Sequence, residues 1–101
     1  MEFKYEPALL DYMKKCGKHT ILVELVQINN SDFEISELHV RFVDERLKRQ
    51  FLDKGYCQHD TEYGEVLMPR FPLETEETVT FGLKKILFWR HLTYSGIKRL
   101  D

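Results

Sequence analysis

Two short stretches place a cysteine and a histidine within a few residues of each other, Cys16-Gly-Lys-His19 and Cys57-Gln-His59. Thiolate and imidazole are ligands that tetrahedral zinc takes readily, and iron accepts them as well. Cys16, His19, Cys57 and His59 are therefore the candidate zinc or iron ligands, provided folding brings the two stretches together. Cys57 is also the candidate reactive thiol, since Tyr56-Cys57-Gln58-His59-Asp60 reads as a polar loop in which a thiol is reachable. Plainer readings stand beside these: Cys16 as a small apolar residue on the inner face of a helix, His19 as a loop residue before a strand, and Cys57 as an ordinary loop cysteine. The plainer readings are preferred, and no cofactor is expected.

A third stretch, Lys84-Lys85-Ile86-Leu87-Phe88-Trp89-Arg90-His91 with Lys98 and Arg99 beyond it, interleaves cations with aromatic rings. Such a surface can stack bases and neutralise phosphates. The alternative, preferred here, makes Leu87, Phe88 and Trp89 the core of a sheet corner and the cations its solvent edge. A formal net charge of -2 also disfavours nucleic acid as a partner. The usual enzyme templates are missing. Gly17, Gly55, Gly64, Gly82 and Gly96 stand singly, so no glycine-rich loop can wrap a phosphate. Ser31, Ser36 and Ser95 lie in no nucleophile-elbow sequence, and neither an HExxH nor a calcium-loop pattern occurs. A non-enzymatic role is expected.

The elements that would hold these residues follow from local signals. Pro7 suits the first position of a helix, Lys14 and Lys15 its negative end, and Gly17 its left-handed cap, with Leu9, Met13 and Cys16 on the inner face. Thr20 to Ile28 is β-branched or apolar on both alternating sets apart from Glu24 and Gln27, which predicts a central strand. Asn29 to Asp32 reads as a turn. Ser36 to Val43 alternates Leu38, Val40 and Phe42 against Glu37, His39 and Arg41, a strand with one wet face. Residues 44 to 55 admit two readings: a helix capped by Asp44, with Leu47 and Phe51 on one face and Glu45 paired with Arg49, or the return arm of a hairpin. Glu65 to Met68 is a short strand, Glu74 to Glu77 a solvated acidic run, and Thr78 to Leu83 and His91 to Ile97 are closing strands.

With 101 residues, 43% of them hydrophobic, the chain suffices for one α+β domain spanning 1–101. The expected architecture is an N-terminal helix packed on a twisted, mainly antiparallel sheet. Two cysteines are too few for a secreted disulfide framework. The charged opening run MEFKYEPALLDYMKK carries no apolar leader segment, and no apolar run reaches the roughly 18 residues of a membrane span. A cytoplasmic domain without a membrane partner is expected, with a protein as its partner and self-association left open.

The order of elements resembles a known family. Glu6-Pro-Ala-Leu-Leu-Asp-Tyr-Met-Lys-Lys-Cys-Gly17, then Ile21 to Val26, Gly64 to Met68, and the closing Val79 to Trp89 running into Leu92-Thr-Tyr-Ser-Gly-Ile-Lys98 are similar to the small HesB-like proteins, in particular those with a CC/Se motif. The resemblance implies the fold of the A-type iron-sulfur carriers and an origin in cluster biosynthesis. It also implies a Cys-Cys or Cys-selenocysteine pair after the first strand, where this chain has Gln27-Ile28-Asn29-Asn30, and a C-terminal CxC, where it has Ser95-Gly96-Ile97. Iron-sulfur units need thiolates. The expectation is thus a HesB-like accessory or interaction protein without the cluster-binding cysteines. The alternatives are a metal or thiol-redox carrier using Cys57 with Cys16 or the nearby histidines, and a regulatory protein-binding module.

Overall fold

Pro7 and Gly17 bracket the first helix as their chemistry requires. The computed structural model describes residues 1–29, 34–70 and 73–99. Helix α1 spans Pro7–Cys16, with Gly17 at φ 65 donating its N–H to the Met13 carbonyl and Lys14 and Lys15 in the last turn. Leu9 and Met13 are buried. Cys16, expected on the same inner face, is instead exposed. All residues from Lys14 to His19 are exposed, so the last turn runs past the surface on which the helix packs, and the helical period there has nothing to face. A strand not anticipated from the sequence, β1 (Glu2–Tyr5), precedes α1.

Strand β2 (Thr20–Asn29) is central, as its two apolar sets demand. It pairs with β3 (Glu34–Phe42) antiparallel on one side and β5 (Gly64–Met68) in parallel on the other. Ile21, Leu22 and Val23 are fully buried. On β3, Leu38, Val40 and Phe42 pack on the core while Glu37, His39 and Arg41 stay exposed. The turn predicted at Asn29–Asp32 falls mostly outside the described residues.

Between β3 and β5 the chain forms helix α2 (Glu45–Asp53), which decides between the two readings of 44–55. The Asp44 carboxylate accepts the Leu47 N–H at 2.9 Å, which satisfies an amide that the first turn leaves without a partner. Phe51 is buried with Leu22 and Leu67, and Leu47 packs beside them. Glu45 meets Lys48 and His19 rather than pairing with Arg49. After α2, the stretch read as a polar loop is strand β4 (Cys57–Thr61), which turns through Glu62 and Tyr63 into β5. Gly64 is required at that junction: at φ 153, a Cβ there would lie 1.9 Å from the His19 carbonyl oxygen, the same atom that accepts the Glu65 N–H.

The closing hairpin joins β6 (Leu73–Ile86) to β7 (Trp89–Arg99). The acidic Glu74, Glu76 and Glu77 are exposed as expected, although on a strand. Two sheets result, ordered β3-β2-β5-β4 and β1-β6-β7, with three antiparallel and two parallel pairings. The α+β class is as expected, but the single sheet is not. The core holds Ile21, Val23, Val66 and Met68 from one sheet, Val79, Phe81 and Ile97 from the other, and Tyr5, Leu9 and Met13 from the N-terminal segment. Both faces of β2 need cover, and they receive it from different elements: the second sheet with α1 on one side, α2 on the other.

Candidate functional site

The β6–β7 register continues well beyond the core. Leu83 faces Leu92, and both still pack on the core cluster. Next come Lys84 opposite His91, Lys85 opposite Arg90 and Ile86 opposite Trp89, leaving Leu87 and Phe88 as a two-residue loop. Every residue from Lys84 to His91 is exposed. Ile86 is 48% exposed, Trp89 71%, Leu87 81% and Phe88 92%, which overturns the reading of Leu87, Phe88 and Trp89 as a core corner. The reason is length: β6 and β7 outrun the sheet that faces them, so the bulky residues lie where no opposing layer exists.

Two-residue hairpin loops need positive φ, for which glycine or asparagine is the unstrained choice. Here Leu87 sits at φ 55, the one non-glycine with positive φ among the described residues. A leucine in that conformation costs about 1–2 kcal/mol. The tip therefore keeps a large apolar side chain in water at a backbone position that disfavours it. At its base, the Arg90 guanidinium lies 5.5 Å from the Tyr12 ring centre, tying the hairpin to α1. An adjoining cleft of about 190 Å³ includes Arg41, Arg90 and His91 in its lining, with Arg41 3.8 Å from a Glu24 carboxylate oxygen. From Thr78 to Leu100 the sequence contains no acidic residue, whereas Lys84, Lys85, Arg90, Lys98 and Arg99 all lie in it. The near-neutral total charge conceals this basic stretch, of which Lys84, Lys85 and Arg90 lie near the tip while Lys98 stands opposite Glu74 at the far end of the hairpin.

No three of the sequence-predicted ligands Cys16, His19, Cys57 and His59 converge. Cys16 is exposed at the end of α1, and Cys57 is half-buried on β4. Cys57 and His59 stand opposite Met68 and Val66, on the core-facing set of β5. Arg70 donates from Nε to the Cys57 sulfur at 3.1 Å, and the His59 ring lies 5.6 Å from that of Phe3. The two side chains border a cleft of about 280 Å³ with Met68 and Leu73. His19 turns toward α2, with Nε2 3.7 Å from Glu45 Oε1.

His19, Glu45 and Glu65 form a cluster that the sequence did not suggest, with one potential ligand atom of each within 4.8 Å of the others. No spacing signals it, because the parallel β2–β5 pairing is what sets Thr20 beside Glu65. Its charge is already answered: Lys48 Nζ lies 2.6 Å from Glu65 Oε1 and 3.9 Å from Glu45 Oε1. The hydrogen bond to Glu65 raises the Lys48 pKa, so the ammonium holds its proton the more firmly. The cluster is best described as a structural ion pair that locks α2 to β5. Burial raises the Tyr5 and Tyr56 phenols; the Tyr5 hydroxyl lies 3.0 Å from that of Thr61, and Tyr56 accepts the Leu25 N–H at 3.4 Å.

No helix among the described residues is long and apolar enough to cross a membrane. Set against known families, curated proteins and solved structures, the chain matches no family model, no curated protein and no solved structure.

Proposed function

We propose that the protein is a non-enzymatic accessory or interaction module of the cytoplasm, HesB-like in kind but without the family's thiol pair, which docks on a larger partner through the β6–β7 tip. One observation carries the reading: Leu87 and Phe88 are almost wholly in water at the apex of a hairpin that extends past its own core. Exposed apolar side chains grouped together mark contact surfaces, and aromatic and arginine side chains supply most of the energy at such contacts.

The test is site-specific photocrosslinking in cells. The benzophenone amino acid at position 88 should form adducts, whether with protein or with lipid, and the same residue at position 76, on the exposed acidic stretch of β6, should not. Adducts that are absent at 88, or equal at both positions, would contradict the reading.

The Arg70–Cys57 contact favours a second reading, a thiol or metal carrier centred on Cys57. Stoichiometric zinc or iron that survives desalting and is lost in Cys57→Ala would select it.

A further inference from the structure

Resting on the tip as the contact surface, we propose that its target is the interfacial region of a membrane containing anionic phospholipid. The hairpin is graded in the way such a surface requires. Leu87 and Phe88 form the apex, Ile86 and Trp89 the next level, Lys85 the third, opposite Arg90 whose guanidinium lies over Tyr12 of α1, and Lys84 the fourth, opposite His91. At about 3.4 Å per residue, the apolar cap is roughly 7 Å deep and the cations begin where it ends. Interfacial elements sink roughly 5–10 Å into the headgroup and acyl boundary, so an immersed apex puts the cation levels among lipid phosphates. Because side chains alternate across a strand, Lys84 and Lys85 leave opposite faces of the hairpin, and the positive charge surrounds the cap. Trp89 belongs to the cap level that adjoins the cations, near the interfacial level that tryptophan favours in membranes.

Along β6 the charges agree: Glu74, Glu76 and Glu77 lie ten to thirteen residues before Leu87, toward the far end of the strand, where Glu74 stands opposite Lys98, and the nearest carboxylate to the cation levels among the described residues is that of Glu6, beside Gly82. Nucleic acid fits less well. Bases stack on aromatic faces laid along a groove, whereas this apex is convex, half its cap (Ile86 and Leu87) has no π-face, and its cations stand behind the cap. Surface insertion needs no spanning helix.

The experiment uses the intact chain with vesicles of phosphatidylcholine alone and of phosphatidylcholine with phosphatidylserine in equal parts. Trp89, the one tryptophan of the chain, serves as the reporter. Expected are co-sedimentation with the anionic vesicles, a blue shift of Trp89 emission and quenching by lipids brominated in the acyl chains, all weakened by added salt. Lys84→Gln with Lys85→Gln should weaken binding by about tenfold or more, since each cation near an anionic surface contributes about one factor of five. Leu87→Ser with Phe88→Ser should abolish the quenching while the circular-dichroism spectrum stays unchanged. Should the serine variant fail to fold, the charge variant and the salt series still decide the matter. No binding to anionic vesicles, or binding indifferent to both variants, would overturn the proposal. If position 88 crosslinks to a protein, or the tip binds a single-stranded oligonucleotide while vesicles are ignored, the lipid target is wrong and the contact role of the tip stands. If neither crosslinks nor vesicle binding occur, both readings fail.

Discussion

Cys16 and Cys57 illustrate what a single position in a helix or strand decides. The i, i+4, i+7 spacing of Leu9, Met13 and Cys16 is genuine, but the third member projects beyond the packing surface and is solvated. Cys57 is half-buried on β4, with Arg70 against its sulfur. Pulsed alkylation of the native protein with mass-spectrometric readout should therefore label Cys16 before Cys57. The reverse order would show that the α1 terminus is packed. The titratable groups make a second prediction. Burial raises Tyr5 and Tyr56 above the ordinary 10.0, and the Glu65 hydrogen bond raises Lys48 above 10.5. In each case the folded chain holds the proton more tightly than the unfolded chain. The stability they contribute is fully present below the unfolded values and is lost as pH rises through the folded ones. The urea midpoint should thus fall above about pH 10, and Tyr5→Phe with Tyr56→Phe should blunt that fall. A midpoint that holds or rises there would contradict the burial of both phenols.

At the scale of elements, what the sequence discloses depends on whether the deciding interaction is local. Helix α1 is legible because Pro7 and Gly17 act on their own backbone. Helix α2 is legible in the same way from Asp44, Leu47 and Phe51, which decide against the alternative of a hairpin arm. Strand β1 is missed because four residues, Glu2 to Tyr5, carry almost no periodicity and owe their conformation to β6. The Cys57–Thr61 strand is missed because an alternating polar sequence on a sheet edge reads like a loop. The tip is misread for a different reason. Ile-Leu-Phe-Trp has the composition of a core, and only the position of the opposing sheet shows that nothing covers it; the flanking Lys-Lys and Arg-His pairs were the available hint. Strain and burial make the middle and the tip of this hairpin behave oppositely. Phe81→Ala, fully buried, should cost about 3–5 kcal/mol in urea unfolding, whereas Leu87→Gly should cost nothing or gain up to about 1 kcal/mol. A loss of more than about 2 kcal/mol for Leu87→Gly would mean that the side chain is packed after all.

For the molecule as a whole, two sheets share a core with α1, and the longest pair of strands leaves that core to carry a cationic, aromatic tip into solvent. None of the four sequence-predicted ligands is needed for this account. The charge separation along β6, with Glu74–Glu77 toward one end and Lys84 and Lys85 toward the other, can be read in the sequence once the hairpin is known, but it vanishes in a net charge of -2. Everything proposed about function depends on the apex being free in the unbound protein, and Trp89 reports on that without any label. Its emission in the native state should lie close to that of the urea-unfolded chain, and acrylamide should quench it nearly as well before unfolding as after. A native emission that is strongly blue-shifted, poorly quenched and moved to the red by urea would place Trp89 in a core and contradict the account.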